Sequence, residues 1–424
     1  MLQSIAFILI FGLLAQALFK KIKFPHIIGM LIVGILIGPY GFELLDQSIL
    51  NISGDIRQIA LIIILLKAGL TMDVHVLKKV GRPAVLMCFL PASFEMLGYL
   101  LFAPKLLGIT LLEAGIIGAV MGAVSPAVVI PAMSRLMDSK WGTEKGIPQM
   151  ITAGASMDDV FVIVVFTSLI AMAEKDVLIE SGLAGAGASG GSGVLGNGAF
   201  GGGAMSSILA FGQVPIAIIL GILVGILGGL LMNVLFRRFH IRDTIKMLIL
   251  LAVAFLFMSL ENALKGVVPV SGLLAVMAMG MTIYEKKKEV AGRLAARFNK
   301  LWVAAEIFLF VLVGALVNIQ FALDAGGLMI LMLFIGLIFR LAGVYICQLK
   351  TPLNGKERLF CMIAELPKAT VQAAIGGVAL QKGLACGSLV LTIAVVAIII
   401  TAPLGAFGIE WSYQKLLVHE NEQS

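Results

Sequence analysis

Two adjacent carboxylates, Asp158 and Asp159, stand near the middle of IPQMITAGASMDDVFVIVVFTSLIAM, residues 147–172. The stretch is long enough to cross a bilayer, which takes about 20 apolar residues as a helix. An ionised carboxylate at bilayer depth costs at least roughly 2.5 kcal/mol. Such a pair therefore persists only where it faces a watery cavity or meets a cation. Successive helical residues point about 100° apart, so the two cannot face one ligand equally. We read Asp159 as the primary ligand of a cation and Asp158 as its polar partner. The alternative is a pair merely neutralised by Lys or Arg. Ser125, Thr152, Ser156 and Thr370 are candidate oxygen donors, since a hard cation suits carboxylate, hydroxyl and carbonyl oxygen.

Other charges also fall inside apolar stretches. Glu95 lies mid-span in PASFEMLGY and Arg340 mid-span in GLIFRLAGVY. Burying either alone is expensive, so an intramembrane ion pair between them is the economical reading. Lys368 and Glu365 flank Pro367. Lys368 is expected either to neutralise the carbonyl ends of half-helices or to exchange a proton. Lys67 lies near the end of its span and can snorkel to the interface.

The elements that must position these residues are membrane helices. With 60% hydrophobic and 13% charged residues, the 424-residue chain has about half the charge of a soluble domain. The fold class is all-α and polytopic. A β-barrel is excluded by the long unbroken apolar runs. The net charge of +7 collects in loops on one face, so no nucleic acid partner is expected. Cys88, Cys347, Cys361 and Cys386 lack zinc-site spacing and read as small buried residues. Residues 2–19 read as a retained first helix, because no basic start or cleavage site accompanies them.

Hydropathy gives about thirteen spans, among them 27–42, 83–103, 111–136, 147–172, 300–319 and 357–381. Lys and Arg concentrate in the odd-numbered connections. An example is Lys286, Lys287, Lys288, Arg293, Arg297 and Lys300, after the ninth span. The positive-inside rule then puts the N-terminus outside and the C-terminus in the cytoplasm. The run 181–204, SGLAGAGASGGSGVLGNGAFGGGA, reads as a flexible linker on the outer face.

The fifth span, EAGIIGAVMGAVSPAVVIPAMSRL, is interrupted at Pro126 and Pro131. The twelfth, LFCMIAELPKATVQAAIGGVAL, is interrupted at Pro367. Each is fourth in a set of five spans, and the two sets have opposite topologies. That is the pattern of an inverted repeat whose broken helices cross at the bilayer midplane. The division expected within one membrane unit starts with largely dimer or scaffold helices in 1–82 and the first half of an ion-translocating core in 83–172. An external Gly-rich linker (173–206), linking and scaffold helices (207–319), and the second core half with the C-terminus (320–424) follow.

The runs GIPQMITAGASMDDVFVIVVFTSL, VSPAVVIPAMSRL and LPKATVQAAIGGVAL resemble the monovalent cation/proton antiporters, most nearly the sodium/proton exchanger subfamily B branch with its bacterial relatives. The resemblance implies a homodimer of thirteen-helix protomers, two crossed broken helices, and an elevator-like movement of the core against a dimer domain. It carries the ion- and proton-binding carboxylates onto Asp158 and Asp159, the ion pair onto Glu95 and Arg340, and the crossover charge onto Lys368. Many electrogenic members have a lysine where this chain has Arg340, and an arginine hardly releases a proton. Several also carry an acidic residue where Ser125–Pro126 stands here.

The activity so implied is sodium or lithium/proton antiport by alternating access, in a bacterial inner membrane, with no cofactor beyond the transported ions. Potassium/proton antiport and a cation channel are the rival readings. No enzyme is expected. An intramembrane aspartyl protease needs its carboxylates on different helices, and an ATP-driven pump needs a Walker A motif.

Overall fold

The computed structural model describes residues 1–22, 24–71, 81–180, 203–239, 242–264, 268, 270–318, 320 and 326–420. Its helices are α1 (Leu2–Lys21), α2 (His26–Ile37), α3 (Gln47–Asn51), α4 (Ser53–Thr71), α5 (Arg82–Met87), α6 (Leu90–Leu107), α7 (Leu111–Met121), α8 (Pro126–Asp138) and α9 (Ile147–Glu180). They continue with α10 (Gly203–Arg238), α11 (Asp243–Leu264), α12 (Gly272–Lys286), α13 (Lys288–Ala315), α14 (Gly326–Cys347), α15 (Gly355–Ala364), α16 (Thr370–Gly376), α17 (Val378–Gln381) and α18 (Gly387–Leu416).

Among the described residues, nine helices are long and apolar enough to cross a membrane, with Arg82–Leu107 and Leu111–Asp138 each taken as one. The protein is an integral, multi-pass membrane protein. Other expected spans fall short of that measure for visible reasons. Helix α2 has 12 residues and α12 has 15, while α4 carries Asp55, Arg57 and Lys67. Lys67 is half-buried on α4.

Helix ends depart from the hydropathy reading where amphipathic turns extend a span. The basic cluster after the ninth span is not a loop beyond Lys287, because α13 starts at Lys288. Its first turns bury Ala291, Leu294, Ala295 and Phe298 at helical spacing, and the basic side chains take the other faces. Arg293 there pairs with Asp243 at 2.9 Å. The second span ends at Ile37 instead of residue 42. The expected linker over 173–206 is trimmed at both ends, since α9 runs to Glu180 and α10 starts at Gly203. Residues 181–202 of that segment lie outside the described residues.

Packing sorts the helices into two groups. In one, α13 lies along α2 and α4, α12 along α4 and α10, and α1 along α2. Helices α2 and α13 touch backbone to backbone, since a Cβ on Gly34 would meet the Val311 carbonyl and one on Gly314 the Leu31 carbonyl. His26 joins the same two helices through Glu306 at 3.3 Å. In the other group, α14 packs along α6, α6 along α7, α9 against α5, α7 and α8, and α15 to α17 against α18.

The second group holds the two interrupted helices. Both first halves start with a capping box, Thr110 with Glu113 for α7 and Asn354 with Glu357 for α15. The first break is residues 122–125, just before Pro126, whose missing N–H suits the first position of α8. Pro131 does not interrupt the chain further and stays inside α8. The second break is residues 365–369. The breaks are bonded to each other, with the Ser125 N–H donating to the Pro367 carbonyl at 2.8 Å.

A helix ends with carbonyls that lack intrahelical donors. At the end of α7, Gln372 donates to the carbonyls of Val120 and Ala123 at 3.1 and 2.8 Å. Lys368 donates to Met121 and Arg340 to Gly122. Side chains from the second half of the chain thus serve four successive carbonyls of the first. Gln372 is fully buried, so Gln372→Leu leaves two carbonyls without these donors where water does not replace them. We expect a loss of about 2 kcal/mol or more, read as a lower melting temperature of the detergent-purified protein. An unchanged melting temperature would show that the crossing does not depend on these bonds.

Candidate functional site

Asp158 lies on α9 beside the first break. Its Oδ2 accepts the Val124 N–H at 3.0 Å and Arg340 Nη2 at 3.1 Å. Its side chain is fully buried, whereas Asp159, one position on, is only partly covered. The 100° step along the helix separates them in this way. Each nevertheless keeps one buried oxygen, Asp158 Oδ1 and Asp159 Oδ1, without a hydrogen-bond partner among the described residues. A carboxylate oxygen is an acceptor with spare lone pairs. These two are the unused acceptors of the α9 pair.

Arg340, expected to pair with Glu95, does so at 3.1 Å, but the pair is part of a larger web. Nε donates to the Glu365 carbonyl at 2.8 Å, Nη1 to Glu95 Oε2 and the Gly122 carbonyl, and Nη2 to Asp158 Oδ2 and, at 2.7 Å, to Glu365 Oε2. All five N–H groups of the guanidinium fork are engaged. One side chain thus ties together the carbonyl ends of α7 and α15 and three carboxylates from α6, α9 and the second break. Lys368 pairs with Glu95 Oε2 at 2.5 Å as well as with the Met121 carbonyl. Its main-chain N–H donates to Thr401 Oγ1 at 2.9 Å. Against these two cations stand four carboxylates, Glu95, Asp158, Asp159 and Glu365. With all of them ionised, the cluster is two positive charges short of neutrality.

The candidate hydroxyls divide into two kinds. Ser125 Oγ and Thr370 Oγ1, at the two breaks, are buried without a partner among the described residues. Thr152 and Ser156 lie on the Asp159 face of α9 by their spacing of seven and three residues. Their hydroxyl protons go to the Pro148 and Thr152 carbonyls, at 2.7 Å each, which leaves their oxygens as acceptors only.

Sequence reasoning did not find Thr401, a hydroxyl within an apolar run whose partner lies 33 residues away. It also missed that Glu365 is bound to Arg340. Its signal was a carboxylate one residue ahead of Leu366–Pro367, at the carbonyl end of a half-helix, where a nearby cation is needed. The cysteines are free, with Cys347, Cys361 and Cys386 buried and Cys88 partly so.

Removing one partner from a buried ionic web leaves the others uncompensated, at a cost of about 3–5 kcal/mol. Arg340→Gln is therefore expected to lower the melting temperature sharply. Adding Glu365→Gln is expected to restore part of the loss, since one orphaned charge goes with it. Equal melting of the single and double variants would remove Glu365 from the web.

Residues 5–415 match the family model described as sodium/hydrogen exchanger, transmembrane. The chain is 30% identical to the sodium/hydrogen exchanger 9B2 of Mus musculus, over 92% of this chain and 69% of that protein. It is 30% identical to the 9B2 protein of Homo sapiens, over 94% and 71%, and 28% identical to human sodium/hydrogen exchanger 9B1, over 90% and 70%. In fold it is similar to the sodium proton antiporter MjNhaP1 from Methanocaldococcus jannaschii, with a TM-score of 0.78 and 19% identity over 97% of each chain. Motifs, fold and similarity along nearly the whole of this chain agree, and the chain belongs to the sodium/hydrogen exchanger family of membrane transporters.

Proposed function

We propose that this chain is a secondary antiporter that exchanges Na⁺, or Li⁺, for protons, with cation and proton competing for the Asp158–Asp159 pair. The observation that carries the reading is the pair of unused buried oxygens, Asp158 Oδ1 and Asp159 Oδ1, beside a charge cluster short of positive charge. Asp159 takes either a proton or a partly dehydrated cation, so the two fluxes share one carboxylate. Asp158, half committed to Arg340, contributes its free oxygen. Ser125 and Thr370 supply hydroxyl oxygens from the two breaks, with Thr152 and Ser156 further along the same face of α9.

Alternating access on this reading is a movement of the group containing the crossing against the group containing α4, α12 and α13. An apolar seam supports it. Leu65 of α4, Val160, Ile163 and Val164 of α9, and Leu273, Leu274 and Met277 of α12 line the junction. Apolar faces have no hydrogen bonds to break when they slide. Residues 83–172 and 320–424 supply the moving core, and 1–82 with 207–319 the scaffold and the homodimer contacts. The Lys and Arg bias supports an N-terminus outside and a C-terminus in the cytoplasm.

The test is proton flux in proteoliposomes with an acid interior, challenged with Na⁺, Li⁺ and K⁺, for wild type and Asp159→Asn. We expect Na⁺ and Li⁺ to discharge the gradient and the variant, folded by its melting profile, to lose the response at least about a hundredfold. A response to K⁺ alone would make this a potassium/proton antiporter. Cation current without counter-transport would make it a channel. Full exchange by a double Asp158→Asn/Asp159→Asn variant would remove the site from both residues.

A further inference from the structure

One buried carboxylate has no role in the exchange just described. Glu365 caps the carbonyl end of α15 and is 1% exposed. It grips Arg340 twice, with its main-chain carbonyl on Nε at 2.8 Å and Oε2 on Nη2 at 2.7 Å. The same Nη2 also serves Asp158 Oδ2, at the longer distance of 3.1 Å.

Arg340 keeps its charge throughout, because a guanidinium does not deprotonate in proteins. Without Glu365, Arg340 and Lys368 would be balanced charge for charge by Glu95 and Asp158, and Asp158 would be the only carboxylate on Nη2. Asp158 would then be a fixed counter-ion with little charge left for a transported cation. Glu365 competes for the same nitrogen from the shorter distance, and its backbone grip holds the guanidinium at the end of α15. Lys368 does not relieve Asp158 in its place, since its ammonium is engaged by Glu95 and the Met121 carbonyl.

We propose that Glu365 is a positioning residue that sets cation affinity: by drawing Arg340 away from Asp158 it leaves that carboxylate able to share a cation with Asp159. The unpartnered Asp158 Oδ1 is the oxygen so kept available, and its counterpart is Asp159 Oδ1. This inference rests on the antiporter reading of the site. It predicts that loss of the Glu365 charge weakens cation binding and spares turnover, whereas a purely structural cap would lower stability or rate and leave affinity alone.

The experiment is a Na⁺ and Li⁺ titration of exchange in proteoliposomes for wild type, Glu365→Gln and Glu365→Asp. The stabilisation of each purified protein by Na⁺ in melting experiments serves as a binding readout independent of transport. Glu365→Gln is expected to raise the apparent KM for both ions about tenfold, with the rate at saturating cation within about twofold of wild type. Glu365→Asp keeps the charge but retreats by one methylene, and is expected to raise KM by about threefold. An unchanged KM in Glu365→Gln, or a fall in rate alone, would overturn the proposal. An Asp variant as impaired as the Gln variant would overturn its charge basis. If Glu365→Gln does not fold, Glu365→Asp decides, and an unchanged KM there overturns the proposal equally. Wild-type protein without Na⁺-driven exchange would instead sink the antiporter reading itself.

Discussion

Two interrupted helices can cross inside a membrane only if the carbonyls exposed at their breaks receive donors from the protein. Lipid supplies none, and each unsatisfied group costs several kcal/mol. At the first break the donors are Gln372, Lys368 and Arg340, all from the second half of the chain, serving residues 120–123, and at the second the Ser125 N–H serves Pro367 and Arg340 serves Glu365. The rest of the core is arranged around that requirement. Helix α14 lies along α6 so that Arg340 reaches both helix ends, and Thr401 of α18 fixes the backbone of Lys368.

Two cations brought in to satisfy carbonyls require counter-charges of their own. Glu95 answers both Lys368 and Arg340, and Asp158 and Glu365 answer Arg340 further. The structural and the ion-binding parts of the cluster are therefore one electrostatic unit. Asp159 is the member without a cationic partner on its side chain among the ion pairs of the described residues. On the proposed reading this fourth carboxylate is the one that takes the mobile charge, while the other three pair with the cations that hold the crossing together.

The group containing α1, α2, α4, α12 and α13 meets a different constraint. Gly34 and Gly314 bring α2 and α13 into backbone contact, and His26 and Glu306 add a polar tie across that pair. Where this group meets α9, the seam beside Asp159 is apolar. Close packing within the group and the apolar lining where Leu65, Leu273 and Met277 face α9 are what the proposed sliding movement requires.

The sequence by itself determined the membrane class, the two breaks and the charges at the crossing, whereas Arg57, Glu306 and Glu357, which are buried as well, were not singled out. Hydropathy, proline and an ionisable residue in an apolar run are each local signals, because the bilayer tests every residue by its depth alone. The Asp158–Asp159 pair and the Glu95–Arg340 contact were legible for that reason. Helix ends were less so. Lys288 to Lys300 read as a loop by charge, yet they fold as the amphipathic start of α13, where packing of Ala291, Leu294 and Phe298 outweighs polarity. Tertiary structure alone decided who pairs with whom. That Arg340 holds three carboxylates, that Gln372 serves Val120 and Ala123, and that Ser125 bonds Pro367 all depend on contacts across more than 200 residues in most cases. A side chain's type states what it needs, but only the crossing of distant helices settles which group is near enough to supply it.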